Sequence, residues 1–399
     1  MHHSIKFYMK LKSLVIFSII ILCLSHLTCW SQSGKLLTDN RLSNKLDTAI
    51  QLAAAGYMSN PGTVGLSIAI YNNGQNLFYN YGESRKGAGQ LIKADQLFNL
   101  GSVAKTFIGI MLAEAVIEKK ANLEDDIRKY LPGKYPNLQY EGHPIRLIDL
   151  ANHTSGLPKS SRNFPAKIMD SIKNISLPKQ LDFFAMYNQD TLMKDMHHFQ
   201  IESLPGTKYD YNGNAMTILI LLLERIYHQP YEQLVTDYLK THIDLYDTRT
   251  KVPLNQLSRF IQGYKDASRP VQWYDLTVAH TNEINTNLFY PGGPSMNSTM
   301  SDMLKYVIAI VKETDPAIKL SHKSTFHQSD STGVGLSWMI SYKNGKRSLY
   351  HSGRTGIGFS TLCIVYPEEK MGIMILVNDN ISQDNVSVLG EKIKLAISQ

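Results

Sequence analysis

Hydrophobic residues follow strand-like spacing near both ends of the chain and helical spacing through its middle. Residues 41–56 have the apolar period of a helix, and residues 63–71 and 75–81 have the pattern of strands. Asn73-Gly74 between those two strands favours a tight hairpin turn. Further strand patterns lie at 335–342, 348–351, 359–366 and 371–378, and a helical pattern closes the chain at 386–397.

Residues from about 102 to 303 carry mostly helical patterns broken by long loops, with apolar runs at 108–116 and 215–227. Hairpins at both ends around a helical middle indicate one sheet assembled from the two ends of the chain. We therefore predict an α/β (α+β) fold: an antiparallel sheet formed from N- and C-terminal strands, flanked by helices, with a large inserted helical lobe. Chemistry is expected in the crevice between sheet and lobe.

The start of the chain carries the pattern of an export signal. Three lysines precede an apolar run at 14–27, and a small polar stretch follows. The run is shorter than the ~20 residues that cross a bilayer. We predict a signal peptide at 1–30 and one domain at 31–399, exported to the periplasm or the cell exterior. Cys29 leaves a second interpretation open, a lipoprotein signal with the lipid on that cysteine.

Composition narrows the class of protein further. The 399 residues are 43% hydrophobic, enough for a sizeable core, and the formal charge of +7 falls to 7 − 3 = +4 without the lysines of the signal. The remaining charges are scattered, with no zinc or Walker spacing, which argues against a nucleic-acid partner. Cys363 stands alone in an apolar strand pattern, which is typical of a buried structural cysteine.

Ser102 and Lys105 are the first candidates for chemistry. They stand three residues apart at the head of the run 108–116, so in a helix their side chains share one face. A serine hydroxyl needs an adjacent base to become a nucleophile, and burial at the head of an apolar helix lowers the pKa of a lysine toward that task. The plain alternative is an N-cap serine followed by a solvated lysine.

The surroundings of Ser102 resemble the serine β-lactamase and penicillin-binding protein superfamily. The branch concerned contains class C β-lactamases, D-alanyl-D-alanine carboxypeptidases, D-aminopeptidases and related esterases. The resemblance covers roughly residues 46–397 and rests on the segments 98–107, 123–132 and 145–158. It implies the β-lactamase/transpeptidase-like fold and acyl-enzyme chemistry without a metal or organic cofactor. It also implies that His153 belongs to a structural loop and not to the catalytic set.

The second motif of that superfamily, Tyr-x-Asn, supplies a tyrosine that faces the nucleophile. Tyr211 stands at the matching place before an apolar helical pattern, with Tyr209 as its rival. The plain alternative is a tyrosine packed on that helix. The third position is Gly213, so the motif amide is missing or displaced by one residue. Asn212 and Asn214, on either side of Gly213, are therefore candidates for substrate binding.

The third motif, Lys-Thr-Gly or His-x-Gly on a strand beside the cleft, resembles the segment that begins at His351. Gly353 permits close approach, and by the family pattern the N–H of Arg354 joins that of Ser102 to hold an oxyanion. A neutral His351 lends less positive potential than a lysine, which makes Tyr211 a proton relay and not a standing phenolate. A strand-end surface histidine is the alternative. The Arg354 side chain is either a partner for a substrate carboxylate or a surface arginine.

Together these motifs imply a serine hydrolase with Ser102, Lys105, Tyr211 and His351 as its catalytic set. The expected activity is that of a D-alanyl-D-alanine carboxypeptidase or an esterase, on a small-molecule or peptide substrate that includes peptidoglycan fragments. The alternative is a non-catalytic relative that binds peptidoglycan or acts as a scaffold, which Gly213 favours. A membrane partner is expected only through the signal or a lipid on Cys29.

Overall fold

The computed structural model describes residues 36–159, 171, 174–175, 179, 188–266, 269–271, 283–285, 296–380 and 383–398. Eight of the sixteen strands within these residues form one large antiparallel sheet. The strands in chain order are β1 Gly65–Asn72, β2 Gln75–Gly82, β3 Leu97–Asn99, β4 Gln139–Tyr140, β5 His143–Pro144, β6 Lys251–Pro253, β7 Gly263–Asp266, β8 Arg269–Val271, β9 Glu283–Asn285, β10 Asn297–Thr299, β11 Phe326–Ser329, β12 Thr332–Val334, β13 Met339–Lys343, β14 Lys346–Arg354, β15 Ser360–Tyr366 and β16 Met371–Val377. The large sheet has the order β11-β12-β13-β14-β15-β16-β1-β2, so both ends of the chain contribute to it. The predicted fold class is confirmed.

Helices cover the sheet and build the inserted lobe. In chain order they are α1 Lys45–Met58, α2 Lys105–Ile117, α3 Leu147–Ala151, α4 Gln189–Met196, α5 Gly213–Tyr227, α6 Tyr231–Ile243, α7 Met300–Lys312, α8 Pro316–Ser321 and α9 Gln383–Ile397. Helices α2 to α6 lie in the chain between β3 and β10, where the sequence predicted a helical lobe. Residues Thr38–Gln399 form one compact unit.

The central strands of the sheet are buried on both faces, which explains their unbroken apolar runs. Every residue of β16 is buried, and α7 packs closely enough that a Cβ on Gly372 would lie 2.4 Å from Val307 Cγ1. At the predicted hairpin between β1 and β2, Asn73 and Gly74 have φ of +47° and +93°. Positive φ at both central residues is typical of the turn that Asn-Gly favours.

One sequence prediction about a strand limit was wrong, and one hairpin was missed. The sequence predicted a strand at 335–342, but the chain forms a turn from Gly335 to Trp338, in which Gly335 N donates to Trp338 O at 2.9 Å. The strand, β13, begins only after this turn. The chain there passes between helices: a Cβ on Gly109 of α2 would lie 1.9 Å from Leu336 O. The hairpin of β11 and β12 was missed because its two strands have only four and three residues.

Other predictions concern cysteine and the start of the chain. Cys363 is fully buried in β15, and burial raises the pKa of its thiol to about 12, which confirms a structural residue. The predicted signal at 1–30 and Cys29 lie outside the described residues. Over the part of the chain that the structure describes, no helix is both long and apolar enough to cross a membrane.

Candidate active site

The serine turn is fixed by a hydrogen bond to nearby Asn99 and by a contact with the distant strand β15. Ser102 lies in a 3-10 turn, Gly101–Ala104, and α2 begins only at Lys105, so a 3-10 turn leads from the serine into the helix that begins with the lysine. The Asn99 side chain accepts a hydrogen bond from Gly101 N at 3.0 Å. Thr361 Oγ1 of β15 donates to Leu100 O at 2.8 Å. The turn that carries Ser102 is thus attached to the sheet on its N-terminal side.

Lys105 lies against Ser102 inside the protein. Its Nζ donates to Ser102 Oγ at 3.0 Å, and the residue is only 1% exposed. Burial lowers the pKa of Lys105 to about 8, so about one molecule in ten carries a neutral amine there at pH 7. The turn has no side-chain cap hydrogen bond. The alternative of an N-cap serine with a solvated lysine therefore does not describe this structure.

Of the two tyrosines before α5, Tyr211 is the one beside Ser102. Lys105 Nζ lies 5.4 Å from the centroid of the Tyr211 ring. Burial raises the pKa of Tyr211 to about 12, while a hydrogen bond from Ser102 opposes that rise. The residue as a whole keeps 37% of its surface exposed, so Tyr211 is in contact with solvent. Tyr209 instead donates to Met339 Sδ at 3.4 Å.

His351 comes to the site from β14. The residue is 5% exposed, and its ring centroid lies 6.1 Å from that of Tyr211. Its Nδ1 is 2.8 Å from Ser352 O, a carbonyl that only accepts, so Nδ1 carries the hydrogen and Nε2 does not. Burial, then the charge of Lys105, lower the pKa of His351 to about 4. A neutral imidazole therefore borders the tyrosine, and it is not a surface group.

The end of β14 brings a second backbone N–H close to the serine turn. A Cβ on Gly353 would lie 2.2 Å from Leu100 O and 3.1 Å from Ser102 N, so only glycine permits this approach. Gly101 has φ of +55°, and a Cβ there would lie 2.9 Å from Arg354 N. The backbone nitrogens of Ser102 and Arg354 therefore border the same small region.

The guanidinium of Arg354 turns away from that region toward the C-terminal loop. Its Nη2 donates to Asn380 O at 2.9 Å, and its Nε donates to Asn380 Oδ1. Asn380 is itself held, because its Nδ2 donates to Thr355 O at 3.1 Å. The structure thus gives the exposed Arg354 side chain a protein partner, while its role toward a substrate carboxylate stays a prediction.

Both asparagine amides beside Gly213 are engaged with the loop at 153–158. Asn212 caps α5 by accepting from Asn214 N and Ala215 N, and its Nδ2 donates to Leu157 O at 2.7 Å. Asn214 Nδ2 donates to Pro158 O at 2.8 Å. Gly213 is the first residue of α5. The contacts of both amides hold this loop against the helix, and their predicted part in substrate binding stays a prediction.

Sequence reasoning left two contributors out of the site. Thr361 anchors the serine turn through Leu100, which is 261 residues away in the sequence, and no local pattern reveals that contact. His153, which the resemblance assigned to a structural loop, has its ring centroid 4.4 Å from that of Tyr211. Within the described ranges, no group of three or more His, Cys, Asp and Glu side chains is arranged to hold a metal ion.

Known proteins are similar to this chain in both sequence and fold. The sequence profile of the β-lactamase family matches residues 50–396. The β-lactamase of Lysobacter lactamgenus is 24% identical over 88% of this chain and 90% of its own. The D-alanyl-D-alanine-carboxypeptidase/endopeptidase AmpH of Escherichia coli (strain K12) is 21% identical over 79% of this chain and 80% of its own. A crystal structure of a β-lactamase/D-alanine carboxypeptidase from Pseudomonas syringae superposes with a TM-score of 0.71 at 22% identity, over 88% of this chain and 99% of its own. The predicted β-lactamase/transpeptidase-like fold is confirmed.

Proposed function

The chain belongs to the β-lactamase family of serine hydrolases, and we propose that it acts through an acyl-enzyme as a D-alanyl-D-alanine carboxypeptidase or an esterase. The observation that supports this most strongly is the 3.0 Å contact between Nζ of the buried Lys105 and Oγ of Ser102. An amine with a pKa of about 8 is close in basicity to the working pH, which is where a general base is most effective.

In the acylation step, Ser102 Oγ attacks the carbonyl carbon of the substrate. The new bond forms between Oγ and that carbon, and the hydroxyl proton moves to neutral Lys105 Nζ. The carbonyl oxygen becomes an oxyanion, which we assign to the backbone N–H groups of Ser102 and Arg354. Removing one such donor costs roughly 3 to 4 kcal/mol of transition-state stabilisation in comparable sites.

Breakdown of the tetrahedral intermediate needs a proton for the leaving group. Tyr211, with a pKa of about 12, is protonated at neutral pH and donates that proton. The ammonium of Lys105 restores the proton to Tyr211, and the acyl-enzyme forms as the bond from carbon to leaving group breaks. In deacylation, the same pair removes a proton from the attacking water. Neutral His351 supports the relay by offering Nε2 as an acceptor without adding a positive charge.

The substrate class is the finer part of the proposal. A relative from Escherichia coli is named a D-alanyl-D-alanine-carboxypeptidase/endopeptidase, and one from Lysobacter lactamgenus a β-lactamase. The third motif has histidine at 351 where a lysine would add positive potential, which favours peptide or ester substrates over a dedicated cephalosporinase activity. The guanidinium of Arg354 is the candidate to receive a substrate carboxylate, for which it would have to leave its hydrogen bonds to Asn380.

A panel of three substrates tests this proposal. The purified protein would be incubated with nitrocefin, a peptide that ends in D-Ala-D-Ala, and p-nitrophenyl acetate, with Ser102→Ala as the matched control. We expect hydrolysis of the peptide or the ester to exceed that of nitrocefin and to vanish in the control. Turnover of none of the three by a folded protein, or equal turnover by Ser102→Ala, would contradict the proposal.

A second candidate rests on Gly213, which occupies the place of the motif asparagine. It is a non-catalytic relative that binds peptidoglycan through the same cleft. That protein would sediment with purified peptidoglycan, whereas neither a fluorescent penicillin nor a fluorophosphonate would label it. Covalent labelling by either probe excludes this second candidate.

The cellular location belongs to the proposal as well. The lysines and apolar run of residues 1–30 indicate export, with Cys29 as the acceptor in the lipoprotein interpretation. Cell fractionation would find the protein outside the cytoplasm, and the mass of the mature chain separates plain cleavage from lipidation. A full-length protein that stays in the cytoplasm would contradict export.

A further inference from the structure

The ring of His153 packs on the ring of Tyr211, yet His153 takes part in none of the proton transfers proposed for the reaction. The two ring centroids are 4.4 Å apart with planes tilted by 39°, and His153 is 2% exposed. The two rings of Tyr211 and His351 are further apart, at 6.1 Å. Tyr211 thus has a buried imidazole packed on it in addition to the one that the third motif supplies.

The backbone of His153 holds a conformation that its side chain makes costly. Its φ of +56° lies in the left-handed region, two residues after the end of α3. A residue with a Cβ costs roughly 1–2 kcal/mol there, which is why glycine is the usual occupant. Ten other described non-glycine residues also have positive φ, so the case for a role of His153 depends on the contacts of its side chain.

Three contacts from His153 converge on Tyr211. The carbonyl oxygen of His153 accepts a hydrogen bond from Asp210 N at 2.8 Å. Its Nδ1 accepts from Asn212 N at 3.1 Å. The backbone on both sides of Tyr211 is therefore fixed to one residue, whose ring also packs on the tyrosine ring.

These contacts require a neutral imidazole with its hydrogen on Nε2. Nδ1 accepts, so it carries no hydrogen, and Nε2 is buried with no hydrogen-bond partner among the described residues. Burial, followed by the charges of Lys105 and His351, lowers the pKa of His153 to about 3. The hydrogen bond that Nδ1 accepts from Asn212 N also favours the neutral form, because a protonated Nδ1 could not accept it. The acceptor on Nδ1 therefore stays available throughout the working pH range.

We propose that His153 is a positioning residue that holds the Tyr211 hydroxyl at Ser102 through its ring and its Nδ1 acceptor. Its kinetic consequence rests on the proposed function, since Tyr211 must relay a proton for the position of its hydroxyl to matter. Its geometric consequence does not, because the environment of Tyr211 can be observed without turnover.

Two substitutions separate the ring from the acceptor. His153→Phe keeps an aromatic ring but removes the acceptor, which leaves the buried N–H of Asn212 unpaired. His153→Asn keeps an acceptor and tolerates positive φ, but it removes the ring. His322→Asn is the matched control, because His322 is also fully buried, its Nε2 has no partner within the described part of the chain, and it packs on Trp338, outside the site.

The kinetic experiment is a double-mutant cycle with Tyr211→Phe, measured as the rate constant for cleavage of the D-Ala-D-Ala peptide, whose amide leaving group needs a proton. We expect His153→Phe and His153→Asn to slow this cleavage 10- to 100-fold with little change in KM, the size of effect that a 1 Å misplacement produces. In the Tyr211→Phe background the same substitutions should have no further effect. Full additivity would overturn the proposal, because a general loss of structure acts whether or not Tyr211 is present.

The second measurement is ¹⁹F NMR of protein that contains 3-fluorotyrosine, with the Tyr211 resonance identified by its loss in Tyr211→Phe. It should shift or broaden in both His153 variants and stay unchanged in His322→Asn. An unchanged Tyr211 resonance in either folded His153 variant would overturn the proposal. If wild-type protein is not acylated, the proposed function fails while this measurement still decides the role of His153.

Discussion

Acylation should depend on pH through Lys105, because its amine must be neutral to accept the proton of Ser102. No other group of the catalytic set titrates between pH 6 and pH 10. The pKa of His351 lies at about 4 and that of Tyr211 at about 12. A pH profile of acylation over this interval therefore reports on the lysine alone.

The expected size of the effect follows from the pKa of about 8 that burial gives Lys105. The neutral fraction rises from about 1% at pH 6 to about half at pH 8, so acylation should accelerate about 50-fold. From pH 8 to pH 10 it should gain only about a further factor of two. A lysine with the ordinary pKa of about 10.4 would gain about 70-fold over that second interval.

The assay is the rate of covalent labelling by a fluorophosphonate, followed by intact mass at each pH. Lys105→Arg is the control, because arginine keeps the positive charge but cannot give up its proton in this range. Its rate should fall roughly 10²- to 10⁴-fold and lose the inflection near pH 8. A wild-type rate that keeps climbing to pH 10, or a Lys105→Arg profile like that of wild type, would refute the reasoning.

Three further changes have expected outcomes. Tyr211→Phe should slow cleavage of an amide about 10²-fold but that of p-nitrophenyl acetate only a few-fold, because p-nitrophenolate leaves without a proton. Equal losses of rate with the two substrates would contradict the proton relay. Gly353→Ala places a Cβ 2.2 Å from Leu100 O, so acylation should fall about 10²-fold while the protein stays folded by circular dichroism; wild-type rates would contradict the oxyanion assignment. Burial alone would raise the pKa of Glu313, but hydrogen bonds from His322 and Arg347 to its carboxylate lower that pKa to about 2. This carboxylate therefore stabilises the fold by up to about 3 kcal/mol above pH 4.3, and that contribution is lost as pH falls toward 2; urea melts of Glu313→Gln should lack it, and a variant with the wild-type acid slope would contradict it.

The fold was accessible to sequence reasoning wherever one local pattern decided the structure. The turn at Asn73 and Gly74 and the unbroken apolar run of β16 each have one stable solution, and both were predicted. The strand limit at 335–342 failed because the chain there is shaped by its approach to Gly109, a contact across more than two hundred residues. The strand propensities of individual residues carry no information about such a long-range contact.

The residues of the site also divide into those that a local pattern brings together and those that only distant contacts bring together. Ser102 and Lys105 are three residues apart, so helical geometry alone brings them close, whereas Tyr211 and His351 came from the family resemblance. The amides of Asn212 and Asn214 bind the loop at 153–158, a partner that their own neighbourhood in the sequence does not indicate.

The chemistry of the site depends on Ser102 being a nucleophile that buried neighbours activate. Mapping the covalent adduct tests this most directly: protein treated with a fluorescent penicillin or a fluorophosphonate is digested, and the added mass is located by tandem mass spectrometry. We expect one adduct, on the hydroxyl of Ser102, with none in Ser102→Ala and a slow reaction in Lys105→Arg. An adduct on another residue, or a fully folded protein that neither probe labels, would contradict the assignment.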